Sequence, residues 1–266
     1  MKTFLAAIVF CFIMQINAQQ EVFAYDYRNV PEEELDTFIG NEAMYWSQIH
    51  AKLVKKGTIT GWVMLRRVNG LASEPNIYFF YGLGSVENTE KMMTDWPQAE
   101  KEVRSSMDQG KLDMLDERLK QKKYRVGEVL LNRTASANMG NLGDWNYLVH
   151  NYCKASDVSA FLDGQEKYFK PFFEKNITAK NTKQVFWYAA AVLSPRGNGY
   201  NWNCYTVDAF KSYSDIFNPW NNTVTWPEEG IAEVSKYLPD GNFYKSVIWQ
   251  KMLWLDAEGK LKTAWD

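Results

Sequence analysis

The chain says the same thing twice. With a shift of 123 residues, residues 31–56 fall on residues 154–179, so that Leu35 meets Val158, Phe38 meets Phe161, Tyr45 meets Tyr168, Ile49 meets Phe172 and Lys52 meets Lys175. The shift then drifts by one or two residues, as a hairpin of slightly different length requires. Trp62 falls on Trp187 and Tyr81 on Tyr205. A repeat of this length exceeds a solenoid unit and suits a small domain. The domain organisation expected is therefore a first repeat over 19–133, a linker over 134–144 and a second repeat over 145–266.

Residues 1–18 are set aside first. Lys2 gives a short basic start, Phe4 to Met14 is an almost unbroken apolar run, and Asn17-Ala18 before Gln19-Gln20 suits a signal peptidase. The run is short for a membrane span. The expectation is export to the periplasm or the extracellular space after cleavage near Ala18, with no membrane insertion. The whole chain has 30 basic and 32 acidic side chains, and no basic block that could follow a phosphate backbone, so nucleic acid is not expected as a partner.

Each copy reads strand, helix, strand, strand, helix, strand. In the first, Phe23 to Tyr27 alternates with period two and Pro31 suits the first turn of a helix. That helix places Leu35, Phe38, Glu42, Tyr45, Trp46, Ile49 and Leu53 on one stripe and stops at Gly57. Strands follow over 58–68 and 76–83. A second helix starts near Val86, is expected to break at Asp95-Trp96-Pro97 and continues to about Lys122, before a closing strand over 124–132. The second copy has strands near 145–152, 184–193, 201–207 and 243–255. Its first helix spans about 157–175, and its second starts near Phe210, breaks at Asn218-Pro219-Trp220 and resumes over 228–237. A βαββαβ unit builds a four-stranded antiparallel sheet with helices on one face. Both faces of the first strand are apolar, Val22 and Ala24 on one and Phe23 and Tyr25 on the other, so a second sheet is expected to cover the open face. The fold class is α+β, two tandem ferredoxin-like repeats packed sheet to sheet.

With that plan, the chain resembles the dimeric α/β-barrel superfamily, which includes antibiotic-biosynthesis monooxygenases, NIPSNAP-type proteins and stress-responsive barrel proteins. More narrowly it resembles tandem, secreted barrel-like proteins of Bacteroidetes bacteria. The residues that carry this are Glu42-Ala43-Met44-Tyr45-Trp46-Ser47-Gln48-Ile49-His50 and Lys55-Lys56-Gly57-Thr58-Ile59-Thr60-Gly61-Trp62. Tyr168-Phe169-Lys170-Pro171-Phe172 and Phe186-Trp187 keep the pattern more loosely. The resemblance implies an intramolecular dimeric α/β barrel, and hence a monomer. These barrels host monooxygenases, isomerases, haem enzymes and binding proteins, so it leaves function open. A haem enzyme of this kind usually takes its axial histidine from the second helix, and neither 86–122 nor 210–237 contains one. No cofactor is expected.

Candidate chemistry is sparse. The chain has two histidines. His50 lies four residues after Trp46 on one helix face, either as a boundary histidine bonded to a neighbour or as a base or proton donor facing the space between helix and sheet. His150 lies on the first strand of the second copy, close to the place of Asp26 in the first. Asp26, on a central strand, needs a partner or a raised pKa. Arg28 on the same face, and Arg66 or Arg67 from another strand, are the candidates for a structural or substrate-orienting pair. Asp26 and His50 are thus the candidate catalytic residues, with at most one copy chemically equipped. Tyr25, Arg28, Trp46, Trp62, Tyr147, His150, Asn151, Trp187 and Trp202 are the candidate ligand-binding set, though aromatic side chains on strands are also core formers. No metal-ligand run, phosphate loop or Ser-His-Asp pattern is present. Gly82-Leu83-Gly84 lacks the third glycine of a dinucleotide fingerprint. Cys153 and Cys204 are expected on neighbouring strands, as a disulfide or as two buried thiols.

Three readings of function follow. Aromatic content of 15% beside so few ionisable candidates favours a small apolar or aromatic ligand held between sheet and helices. The second reading is a cofactor-independent enzyme acting on an aromatic or enol substrate. The third is an interaction protein without a pocket.

Overall fold

A computed structural model describes residues 21–121, 124–197 and 201–265. The leader expected over residues 1–18 lies outside the described residues. The first copy contributes β1 (Glu21–Arg28), β2 (Gly61–Arg67), β3 (Ile77–Gly84) and β4 (Arg125–Ala137). The second contributes β5 (Tyr147–Cys153), β6 (Gln184–Ser194), β7 (Cys204–Phe210) and β8 (Lys245–Leu255), and a short β9 (Leu261–Thr263) pairs with the end of β8. Each copy has the sheet order fourth, first, third, second strand. The strands run β2-β3-β1-β4-β6-β7-β5-β8, and β8 pairs back onto β2. Two half-sheets thus close into one antiparallel barrel.

The two seams are related by the repeat, since each joins the second strand of one copy to the fourth of the other. Ser136 pairs with Tyr188 across β4–β6, and Val63 with Trp254 across β2–β8. Closure removes the unpaired edges that an isolated half-sheet would present. β4 continues through Ala137, into the segment expected as linker, because pairing with β6 extends it.

Alternation along β1 sorts its side chains into two compartments. Phe23, Tyr25 and Tyr27 point into the barrel, where they meet Tyr78, Tyr188, Tyr205 and Trp249. Val22 and Ala24 point outward beneath the first-copy helices. That outer layer contains α1, one continuous helix of three segments: Leu35–Asn41, a π-helical turn at Glu42–Trp46, and Ser47–Lys56. Gly57 ends it at φ +75°, a conformation that favours glycine. α2 (Glu87–Ser106) and α3 (Gln109–Gln121) complete the layer.

In the second copy, α4 is built the same way from Val158–Gly164, a π-helical turn at Gln165–Phe169, and Lys170–Thr178. The π turns thus fall at equivalent positions, Glu42 matching Gln165. α5 is Glu228–Ser235.

Two sequence expectations about helices are corrected. α2 runs unbroken through Pro97, and the break comes ten residues later at Met107–Asp108. A proline removes one helical hydrogen bond without obliging the helix to end. Packing on both sides of Pro97, by Trp96 and by the buried Ala99, carries the helix through it. In the second copy no helix starts near Phe210, which ends β7. A 3-10 turn at Ser214–Phe217 stands there, and the Pro219 carbonyl accepts from the Lys183 amide and the Thr182 hydroxyl.

Candidate functional site

Between the first-copy sheet and helices α1 and α2 lies a cavity of about 990 Å³. β1 supplies Asp26 and Arg28 to it, α1 supplies Phe38, Glu42, Trp46 and His50, β3 supplies Phe79 and Tyr81, and α2 supplies Thr89 and Trp96. Four predicted residues therefore come together: Asp26, Arg28, Trp46 and His50. Trp62 lies directly beneath, its ring stacked on His50 with centroids 4.8 Å apart.

His50 is 1% exposed, and neither ring nitrogen has a hydrogen-bond partner of normal geometry. Burial pushes its pKa down to about 3, and the Trp46 carbonyl one turn back opposes this only weakly. The imidazole is therefore neutral at pH 7. Trp96 stands edge-on to it at 5.0 Å and Tyr81 lies at 5.3 Å. The Thr89 hydroxyl, also on the cavity wall, is likewise buried without a partner.

Asp26 is held by two arginines. Arg28 grips it with both terminal nitrogens, one of them 2.7 Å from Oδ2, and Arg125 Nε donates to Oδ1 at 3.1 Å. This corrects the expected partner from β2. Arg66 pairs with Glu32 and Arg67 with Glu74, because β3 separates β2 from β1, whereas β4, which carries Arg125, is the neighbour of β1.

Glu42 was legible only as a flaw in an apolar stripe. It is 7% exposed, and burial, helped by the Asp26 charge and opposed by Arg28, pushes its pKa up to about 8. At pH 7 the cavity thus holds a protonated carboxyl and a neutral imidazole on one helix, two turns apart.

The other predicted residues lie elsewhere. Tyr25 and His150 are in the barrel interior, on the face of the sheet opposite to that of Asp26. His150 Nε2 is 3.1 Å from the Tyr78 hydroxyl and Nδ1 is 3.3 Å from that of Tyr152. Both histidines are buried and pushed to about 3, but His150 has partners for both nitrogens. Asn151, not His150, occupies the place equivalent to Asp26, and it donates to Asp208 at 2.8 Å. Tyr147 packs on Tyr213, and Trp202 on Tyr152 near one end of the barrel. Trp187 is core under α4, stacked on Phe173 at 4.8 Å. Phe172, Phe173, Trp220 and Val234 fill the second-copy space between sheet and helices.

Cys153 and Cys204 face each other across β5–β7 as free, buried thiols with Sγ atoms 2.8 Å apart. Among the described residues no group of three potential metal ligands occurs, and no helix is long and apolar enough to cross a membrane.

No protein-family model matches this sequence, and no curated protein matches it. Solved structures do. A "putative monooxygenase" from Fusobacterium nucleatum subsp. nucleatum superposes with a TM-score of 0.51 at 11% identity, over 92% of this chain and 94% of that one. The fold is that of the dimeric α/β barrels. An anthrone oxidase-like protein is similar at 14% identity, with a TM-score of 0.49 over 90% of this chain and 94% of the other. In this barrel both halves come from one polypeptide, and the aromatic-lined space under the first-copy helices fits a binding pocket.

Proposed function

We propose that this chain is an exported small-molecule-binding protein whose ligand, apolar or aromatic, sits in the first-copy cavity against Trp46, Phe79 and Trp96. One observation carries the reading. The cavity wall holds a buried, uncharged imidazole with no hydrogen bond of normal geometry, only a weak interaction with the Trp46 carbonyl, beside aromatic surface and a volume of about 990 Å³, within the range of small-molecule sites. A buried polar group left unpaired costs about 1–3 kcal/mol. A ligand hydroxyl or N–H donated to His50 would recover much of that.

Titration calorimetry with 1-naphthol tests this. Binding of one molecule per chain is expected, weakened about tenfold by His50→Phe, an order set by one lost hydrogen bond, and also weakened by Trp46→Ala. Full affinity in both variants would remove the ligand from this cavity. Native mass spectrometry of residues 19–266 would show a ligand acquired during expression as a reproducible extra mass.

A second reading, a cofactor-independent enzyme on an aromatic or enol substrate, has its own support. Glu42 and His50 have pKa values displaced in opposite directions, up to about 8 and down to about 3, an arrangement that can divide acid and base roles. A base is most effective with its pKa near the working pH, so His50 would need its pKa raised by the bound substrate. Binding is the better-supported role.

A further inference from the structure

The barrel has two ends, and they are furnished differently. At one, Met139, Gly140, Leu142 and Trp145 from the segment between the copies cover the interior, and about 50 Å³ of space remains. At the other end, where β1, β2 and β5 finish and β8 begins, there is a cavity of about 330 Å³. It lies on the opposite side of the sheet from the cavity of His50.

Its walls are aromatic: Tyr27, Tyr152, Trp202 and Trp249. Its charged groups are arranged unevenly. Arg67, with a side chain only 8% exposed, donates to Glu74 Oε2 at 3.2 Å, and Lys245 donates to Glu74 Oε1 at 3.0 Å. Two cations therefore share one carboxylate. Glu128, the other acid on this wall, is taken up by Arg125. Arg67 carries five N–H donors and Lys245 three, more than Glu74 and the Leu71 carbonyl, which Arg67 also contacts, can accept. Trp249 adds an independent sign. It is 2% exposed, it lines the cavity, and its indole N–H has no hydrogen bond of normal geometry, only a weak interaction with the Tyr152 hydroxyl. Donors in excess, one of them buried and only weakly engaged, call for an acceptor.

We propose that this end of the barrel is a second ligand site, which takes a small aromatic carboxylate. Its ring lies against Tyr152 and Trp202, and its carboxylate joins Glu74 on Arg67 and Lys245. The volume, about 330 Å³, suits a ligand of one or two fused rings. The charge imbalance selects an acid over its neutral analogue, since charge-assisted hydrogen bonds are roughly twice as strong as neutral ones. This site stands whether or not the first cavity binds anything.

Calorimetry of the mature chain with 2-naphthoate and with neutral 2-naphthamide decides the matter. One naphthoate per chain is expected, bound about tenfold more tightly than the amide, the order expected for charge-assisted contacts. Arg67→Gln and Lys245→Met should each erase that preference. Lys245→Met removes the ammonium, whose Nζ lies 5.5 Å from the Tyr152 ring centroid, but keeps an unbranched apolar side chain, and so guards against a folding artefact from the Arg67 change. Glu74→Gln should tighten naphthoate several-fold by removing the competing carboxylate. Equal affinity for acid and amide would overturn the proposal, as would no heat from either probe at millimolar concentration. Naphthoate binding that is lost in Trp46→Ala and kept in both cation variants would assign the probe to the first cavity and also overturn it.

Discussion

The His50 ring lies flat on Trp62, centroids 4.8 Å apart and planes inclined by 14°. In the second copy Phe173 lies on Trp187 at the same 4.8 Å, inclined by 17°. The repeat thus solves one packing problem twice, once with a hydrocarbon ring and once with a ring that brings two nitrogens into a dry place. The hydrocarbon is sufficient for stability. His50→Phe should therefore raise the unfolding free energy by about 1–2 kcal/mol, by removing unpaired buried polar atoms at nearly constant volume. Urea unfolding monitored by tryptophan fluorescence would show it, and a loss of stability would mean that the imbalance at His50 is satisfied in some other way.

Acid should destabilise the protein earlier than its carboxylates alone require. His50 and His150 have folded pKa values near 3 against an ordinary 6.5. Between those values the unfolded chain binds protons that the folded chain refuses. Stability from this source is complete above pH 6.5 and is lost as pH falls toward 3. Urea midpoints at pH 7, 5 and 4 should fall steadily, and less steeply in His50→Phe than in the parent protein. Parallel pH profiles for the two proteins would exclude His50 as a contributor.

Glu42 acts in the opposite direction. Its folded pKa is about 8 against 4.5, so its contribution is fully present below pH 4.5 and is lost as pH rises through 8. Glu42→Gln copies Gln165 of the second copy and cannot ionise. The variant should match the parent at pH 5 and exceed it at pH 9 by about 1–3 kcal/mol, a figure kept below the full linkage value because local relaxation and water entry moderate buried charge. Melting temperatures at the two pH values test this, and a variant less stable than the parent at pH 9 would contradict it.

The two thiols should be silent in the native protein. Cys153 and Cys204 are both fully buried, and burial together with the neighbouring Cys204 sulfur pushes the Cys153 thiol up. Since the thiolate is the reactive form, a colorimetric thiol reagent at pH 8 should find none in folded protein of residues 19–266 and two per chain in guanidinium chloride. Finding none after unfolding would show that they are joined as a disulfide.

How much of this was legible in the sequence depends on distance along the chain. The eight barrel strands and the first helix of each copy follow from local periodicity and from the repeat, and both faces of β1 being apolar already required a second sheet. Pro97 misled because the packing of Trp96 and Ala99 against the rest of the outer layer, which carries α2 through it, is a tertiary contact. That Asp26 needs a partner is legible in the sequence; that the partner is Arg125 is not. It comes 99 residues later, and only the sheet order makes β4 the neighbour of β1. The repeat brings His150 close to the equivalent of Asp26, but a one-residue difference in strand alignment moves a side chain to the other face. Glu42 had the clearest unused signal, a carboxylate in the middle of an apolar helical stripe.

Closure of the barrel also predicts the state of assembly. In a half-sheet alone, Phe23, Tyr25 and Tyr78 would face water, and β2 and β4 would offer unpaired edges; a second half must cover them. Here that half is covalently attached, and both seams are hydrogen-bonded within the chain. Sedimentation equilibrium of residues 19–266 at micromolar concentration should therefore give the mass of one chain. A fragment ending at Ala137 should aggregate or pair with itself, because the surface it exposes is the one the second copy covers. An obligate dimer of the whole chain would mean that the outer helices make a contact of their own. A monomeric, soluble fragment would mean that the barrel interior contributes less to folding than its aromatic packing implies.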